Sequence, residues 1–470
     1  MKRRTKLILA GGTAVTAAAA WPSLALAHGL VGRADLPIPS WLFGWAAAIV
    51  LGASFVALAA LWPEPRLQHP RERPLFRIPA VVDVVCGAIG IAIFVAVVYS
   101  GFAGTRTSTL NLAPNIVYVQ FWIGFAVVSL LFGDVFRAFN PWRAFARAVV
   151  FAGGRLGIRR RVGPYPAWLG RWPAVAGIGC FAWLELVYVQ KADPPKLAIL
   201  AIAYAAIQLI GMAYYGIDAW SDRADAFGVY FNLYSRLSVF ERRGRELFVR
   251  PPLSGAPSWP LLPGSVMLLC VAIGSTTFDG FSNGPVWASL GPDLQSFFKD
   301  LGASTTVALE LAGTVGLIGC ILVIGGFYRL GIEGMKTVGH GHNARELAGR
   351  FAHTLIPIAF AYALAHYFSL LIYQGQAIGF LVSNPLGNGS NIFGTAHATI
   401  DYGIILGVGI WYVQVAALVC GHVAGLVLAH DRALAIYNRV GEATRSQYWM
   451  LVVMVGFTSL GLWLLSAVQA

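Results

Sequence analysis

Long apolar runs separated by short polar stretches dominate the chain from residue 41 onward. Ten of these runs approach the ~20 residues that a helix needs to cross a ~30 Å hydrocarbon core. They lie near 41–62, 78–102, 115–137, 172–190, 196–216, 261–280, 306–328, 355–376, 400–428 and 449–467. The first 27 residues follow another pattern: a basic Lys2-Arg3-Arg4-Thr5-Lys6, an apolar Leu7 to Ala20, and the small-residue ending Ala25-Leu26-Ala27. Those three parts make a secretory signal. The expected fold is therefore an all-α integral membrane protein, a bundle of about ten transmembrane helices after a cleavable signal peptide (1–27). Residues 28–470 then form a single polytopic transmembrane domain.

The placement of Lys and Arg tests this count independently, because loops on the inner side of a membrane collect positive charge. Alternate loops hold Arg66 to Arg77, Arg137 to Arg171, Arg223 to Arg250, Arg329 to Arg350 and Arg432 to Arg445, and together carry 25 of the 34 basic residues. The other loops hold only Arg33, Arg106, Lys191, Lys196 and Lys299. This alternation expects a multi-pass protein of a bacterial plasma membrane with the mature N-terminus and the C-terminus both outside. Trp41, Trp62, Trp172 and Trp449 mark span ends, where amphipathic rings favour the interface.

Only 12% of residues are charged, against about 25% in soluble domains. The net charge of +13 is scattered through short loops and not gathered on one soluble face, which excludes nucleic acid as a partner. Lipid is the principal partner. Five cysteines stand singly inside apolar runs, without CxxC spacing, and read as small core residues. The chain has no Gly-rich phosphate loop, HExxH or GxSxG, so the common soluble hydrolase and nucleotide-binding classes have no footing. The inner segments 138–171 and 217–260 are too short for a separate domain.

Ionisable groups inside spans are costly and mark function by default. Here they are Asp83, Asp134, Glu185, Asp279, Glu310, His366, His397, Asp401 and His422. Asp279, Glu310, His397 and Asp401 fall near the outer ends of their spans, Glu185 does so in span 4, and His366 lies near the middle of span 8. If span 9 is an unbroken helix, His397, Asp401, His422 and His430 share an arc of about 80° facing the bundle. Gly403/Gly407 and Gly421/Gly425 mark a second face suited to close packing. The pair His397-x-x-x-Asp401 suits a metal ion, and equally a histidine bonded within its own helix. Signal cleavage after Ala27 would add His28, offering an amine and an imidazole to a metal. Asp134 and Arg137, three residues apart, read as an interface ion pair, and His340-Gly341-His342 as solvated.

Several stretches carry a resemblance: Ala27-His28-Gly29-Leu30-Val31-Gly32-Arg33, Phe132-Gly133-Asp134-Val135-Phe136-Arg137-Ala138-Phe139-Asn140-Pro141-Trp142-Arg143, Gly274-Ser275-Thr276-Thr277-Phe278-Asp279-Gly280, and Ala429-His430-Asp431-Arg432-Ala433-Leu434. In these the chain resembles the bacterial membrane proteins called fenitrothion hydrolases, from about residue 27 to 465. The resemblance implies hydrolysis of an organophosphorus triester at a P–O–aryl bond. A bound divalent transition metal would suit that reaction, supplying a nucleophilic water and neutralising charge on the phosphoryl group. The expected ligands are His397, Asp401, His366 and His28, with Asp279 and Glu310 as catalytic carboxylates and a small apolar substrate. The rival expectation is a transporter or handling protein for copper, cobalt or nickel, favoured by His28 and by the histidine stripe of span 9.

Overall fold

The computed structural model describes residues 40–157, 161–338 and 343–467. The expected signal peptide and His28 lie outside these residues, as do His340 and His342. The described chain is mostly helical, and eight of its helical segments are long and apolar enough to cross a membrane. It is a multi-pass membrane protein.

The longer helices, in chain order, are α1 (Ser40–Leu61), α2 (Ala80–Ala103), α3 (Leu112–Phe132), α4 (Pro141–Arg155), α5 (Trp172–Leu186) and α6 (Pro194–Tyr215). Two short helices follow, α7 (Ile217–Arg223) and α8 (Ala226–Ser235). Then come α9 (Ser265–Ser282), α10 (Pro285–Asp300), α11 (Thr305–Met335), α12 (Leu355–Gln374), α13 (Gly407–Ile436) and α14 (Tyr448–Ala467). Every expected span coincides with a helix. The spans near 172–190 and 449–467 correspond to α5, 15 residues long, and α14, 20 residues long.

Three boundaries differ from the sequence reading, and two of them have a clear local cause. Gly133 takes φ +84° and ends α3, where a side chain would strike the Phe240 carbonyl. Asp134 and Arg137 therefore leave the span, and the expected ion pair between them is not formed. Asp134 accepts from Asn232 and from the Arg137 amide, while the Arg137 guanidinium pairs with Asp218 and Asp222. The helix of span 9 starts at Gly407, not near 400. The Asp401 carboxylate accepts the Gly403 amide at 2.7 Å, and Gln376 binds both the amide and the carbonyl of Asp401. That local turn competes with helix, as Asp side chains commonly do. Span 4 ends at Leu186, just after Glu185.

The basic loops hold an element that the all-α expectation omitted. Strands β1 (Arg73–Arg77), β2 (Phe240–Arg243) and β3 (Glu246–Val249) form an antiparallel sheet in the order β1-β3-β2. Acidic residues neutralise the two arginines of β2. Arg243 bridges Glu72 and Glu241, while Arg242 makes a two-pronged contact with Asp83 at the start of α2. Two loops far apart in sequence are joined in this way and fastened to the bundle.

Within the bundle, α9 is the most buried of the eight candidate spans. It is also polar, and its hydroxyls are absorbed locally. Ser275 and Thr276 donate to the Ala272 carbonyl, and Thr277 donates to that of Ile273. Gly274 brings α9 against the backbone of Ile321 on α11, where an added Cβ would sit 2.6 Å from its Cα. The close packing expected of Gly421 and Gly425 is present: both press α13 against α12, at Ala361 and at the Thr354 carbonyl. Gly403, by contrast, lies outside the helix. His422 and His430 face the interior, as the arc on span 9 requires.

Candidate functional site

The site is built where α5, α9 and α12 meet. Asp279 lies one turn before the end of α9, roughly 21 Å along its axis from Ser265. His366 lies about 16 Å along α12 from Leu355. Asp279 is thus near the C-terminal end of its helix and His366 near the middle of its own. His366 Nε2 and Asp279 Oδ2 are 2.8 Å apart, with their side chains 11% and 10% exposed. The adjacent residue on α12, Tyr367, is 3% exposed, and its hydroxyl interacts with both Asp279 and Glu185 of α5. The His366 and Tyr367 rings stand edge to face at 4.8 Å. Two acids, an imidazole and a phenol therefore share one buried location.

A cavity of about 20 Å³ adjoins this cluster, lined by Thr276, Thr277, Tyr362, His366, Leu418 and Gly461. That is space for about one water. Small-molecule sites ordinarily span ~300 Å³ or more.

Of the residues singled out in the sequence, Asp279 and His366 come together. Glu310 does not join them in this contact: it accepts the Val189 amide at 3.2 Å, while Thr314 on the next turn receives Trp183, tying α11 to the end of α5. His397 and Asp401 are exposed in the segment before α13 and share no helix face with His422. Of the four expected ligands, His28 lies outside the described residues, His366 stands on α12, and His397 and Asp401 stand in the segment before α13. Among the described residues, no three His, Cys, Asp or Glu side chains are grouped to hold an ion. The physical reason is the Asp401 turn, which takes both residues out of the helix that was to aim them inward.

Two members of the cluster escaped the sequence reading as site residues. Glu185 was one of the intramembrane acids but had no visible partner, since its neighbours are about 90 and 180 residues away. Tyr367 gave only one signal, its position next to His366.

A second histidine–carboxylate pair provides a control. Asp431 on α13 is fully buried and accepts the Trp62 indole, the Arg66 and Leu67 amides and the Gln68 side chain. His430 bonds the Trp62 carbonyl through Nε2 and Gln447 through Nδ1. Both side chains hold the 62–68 segment against α13 and are saturated. The Asn140-Pro141-Trp142 motif has a similar role. Asn140 caps α4, and Asp225 accepts from Asn140, Trp142 and Tyr204. Burial pushes the Asp225 carboxyl up, and those donors oppose the rise.

No family model matches the chain, and no curated protein or solved structure matches it.

Proposed function

We propose that the chain is a proton-coupled membrane transporter whose proton-exchanging centre is Asp279, His366, Tyr367 and Glu185. The contact that carries this reading is the 2.8 Å pair of His366 and Asp279, joined through Tyr367 to a second carboxylate. Ionisable groups so placed in helical spans mark ion pathways and proton relays. A site with room for about one water suits a proton better than an aryl phosphotriester. The proposed topology has ten spans in a bacterial plasma membrane, with both mature termini outside, following the alternation of basic loops. The proposed cargo is a divalent transition-metal ion, met first by the histidine-led N-terminus that signal cleavage would expose.

Reconstitution tests it. Sealed vesicles with an entrapped pH dye should show proton movement when a copper, cobalt or nickel gradient is imposed, and Asp279→Asn or His366→Gln should reduce it about 100-fold. Unchanged flux in both variants would overturn the reading. A second reading, hydrolysis of an organophosphorus triester, is favoured by the family resemblance and by the His366–Asp279 pair beside a water-sized space, an arrangement suited to a general base. Turnover of a nitrophenyl phosphotriester in detergent, lost in the same two variants, would select it.

A further inference from the structure

We propose that α4 is an interfacial helix whose apolar stripe and arginines bind the surface of an anionic phospholipid leaflet, whatever chemistry the buried cluster performs. With 15 residues α4 is about 22 Å long, and it is not among the eight segments able to cross a membrane. Its first turn is tied into the bundle: the Trp142 indole donates to Asp225, and Arg143 pairs with Asp218. From Phe145 on, the helix leaves the bundle. Phe145, Val149 and Leu156 are 50%, 54% and 78% exposed. With Ala152 they follow the spacing i, i+4, i+7 and i+11, so they line one stripe, and Arg143 and Arg147 fall on the opposite side.

The neighbouring span sets the depth of this helix. α4 meets α2 at Gly87, where an added Cβ would sit 2.7 Å from the Ala144 methyl, and the turn before α4 presses its Phe139 carbonyl on Gly90. Gly87 lies about 10 Å along α2 from Ala80. Asp83, between the two, pairs with Arg242 of the sheet and so marks the polar end of that span. α4 therefore emerges just inside the end of a span, the level at which amphipathic helices sink about 5–10 Å into the headgroup boundary.

Charge decides what covers the stripe. Between Val135 and Leu184 the sequence has eight arginines and no acidic residue. Arg137 and Arg143 are paired with Asp218 and Asp222, whereas Arg147, Arg155 and Arg161 are exposed. The Arg155 guanidinium lies 5.0 Å over the Phe151 ring, so a cation and an apolar ring are presented together. An apolar protein surface would leave these cations unmatched. A leaflet of anionic phospholipid takes the stripe among its acyl chains and the arginines among its phosphates, each arginine strengthening the attachment about fivefold. Helix α10 is the contrast within the molecule. It too exposes apolar residues, Val286, Leu290 and Phe297, but its charges are Asp293, Lys299 and Asp300, with no basic surplus.

Hydrogen–deuterium exchange of the full-length protein in lipid nanodiscs tests this, read on peptides covering residues 145–156. In discs of phosphatidylcholine mixed with phosphatidylglycerol, the α4 amides should exchange about tenfold more slowly than in phosphatidylcholine alone. Salt at about 1 M, which shortens the screening length to about 3 Å, should erase the difference. Arg147→Gln combined with Arg155→Gln should erase it too, while peptides of α9 stay as protected as in wild type and report an intact fold. Exchange of α10 should not respond to lipid charge. Equal exchange of α4 in the two lipids would overturn the proposal, and so would an equal slowing of α10, which would make the effect general to the bilayer. A slowing of α4 that survives in the double variant would also overturn it, since the arginines would then not be what holds the lipid.

Discussion

Two histidine–carboxylate pairs lie in the same bundle and serve opposite ends. At His430–Asp431 every acceptor and donor is matched by a loop or helix group, and the pair is closed to water. At His366–Asp279 the groups face other titratable side chains and a space for water. Identical residue types thus separate, by what surrounds them, into a saturated anchor and a pair set among other titratable groups. The resemblance motif Ala429-His430-Asp431-Arg432 belongs to the anchor. A shared motif in a membrane protein can report how a loop is fastened, with no bearing on its chemistry.

Substitutions sharpen this contrast. Asp431→Ala should have the largest effect on folding, on the order of 3 kcal/mol or more, because four donors lose one acceptor; thermal unfolding in detergent measures it, and a change within error would remove the anchor role. Asp279→Asn should leave that unfolding curve near wild type while flux falls about 100-fold. Loss of both together would make it a second anchor. Acid should act through Asp218. Burial alone would raise its carboxyl, but the Arg143 hydrogen bond and the nearby Arg143 and Arg137 charges hold it below the ordinary value. Its contribution is therefore present above about pH 4 and lost as pH falls through the lower folded value, so Asp218→Asn should flatten that part of the acid-unfolding profile. His397→Ala and Asp401→Ala should change flux less than about twofold, since both side chains are exposed; direct ligation of cargo would show as a much larger loss.

Much of this arrangement was legible in the residues. Uniform apolar runs and the alternation of arginines located the helices, and the cost of burying acids singled out Asp279 and His366. The sheet was not legible, because Arg73-Pro74-Leu75-Phe76-Arg77 has no clear alternation and its partner strand lies far away in sequence. The start of α13 was misread because an apolar run cannot reveal a side chain that prefers a turn to a helix. The convergence of Glu185 with Tyr367 depends on tertiary packing, which single-span reasoning does not reach.

The small sheet also imposes a schedule on biogenesis. Strand β1 leaves the ribosome roughly 170 residues before β3, its only partner in the sheet. At ordinary synthesis rates that is a wait of roughly 10–30 s. During it, Leu75 and Phe76 stand unpaired beside the emerging first helices, so chains interrupted before residue 249 should be the ones that quality-control proteases remove.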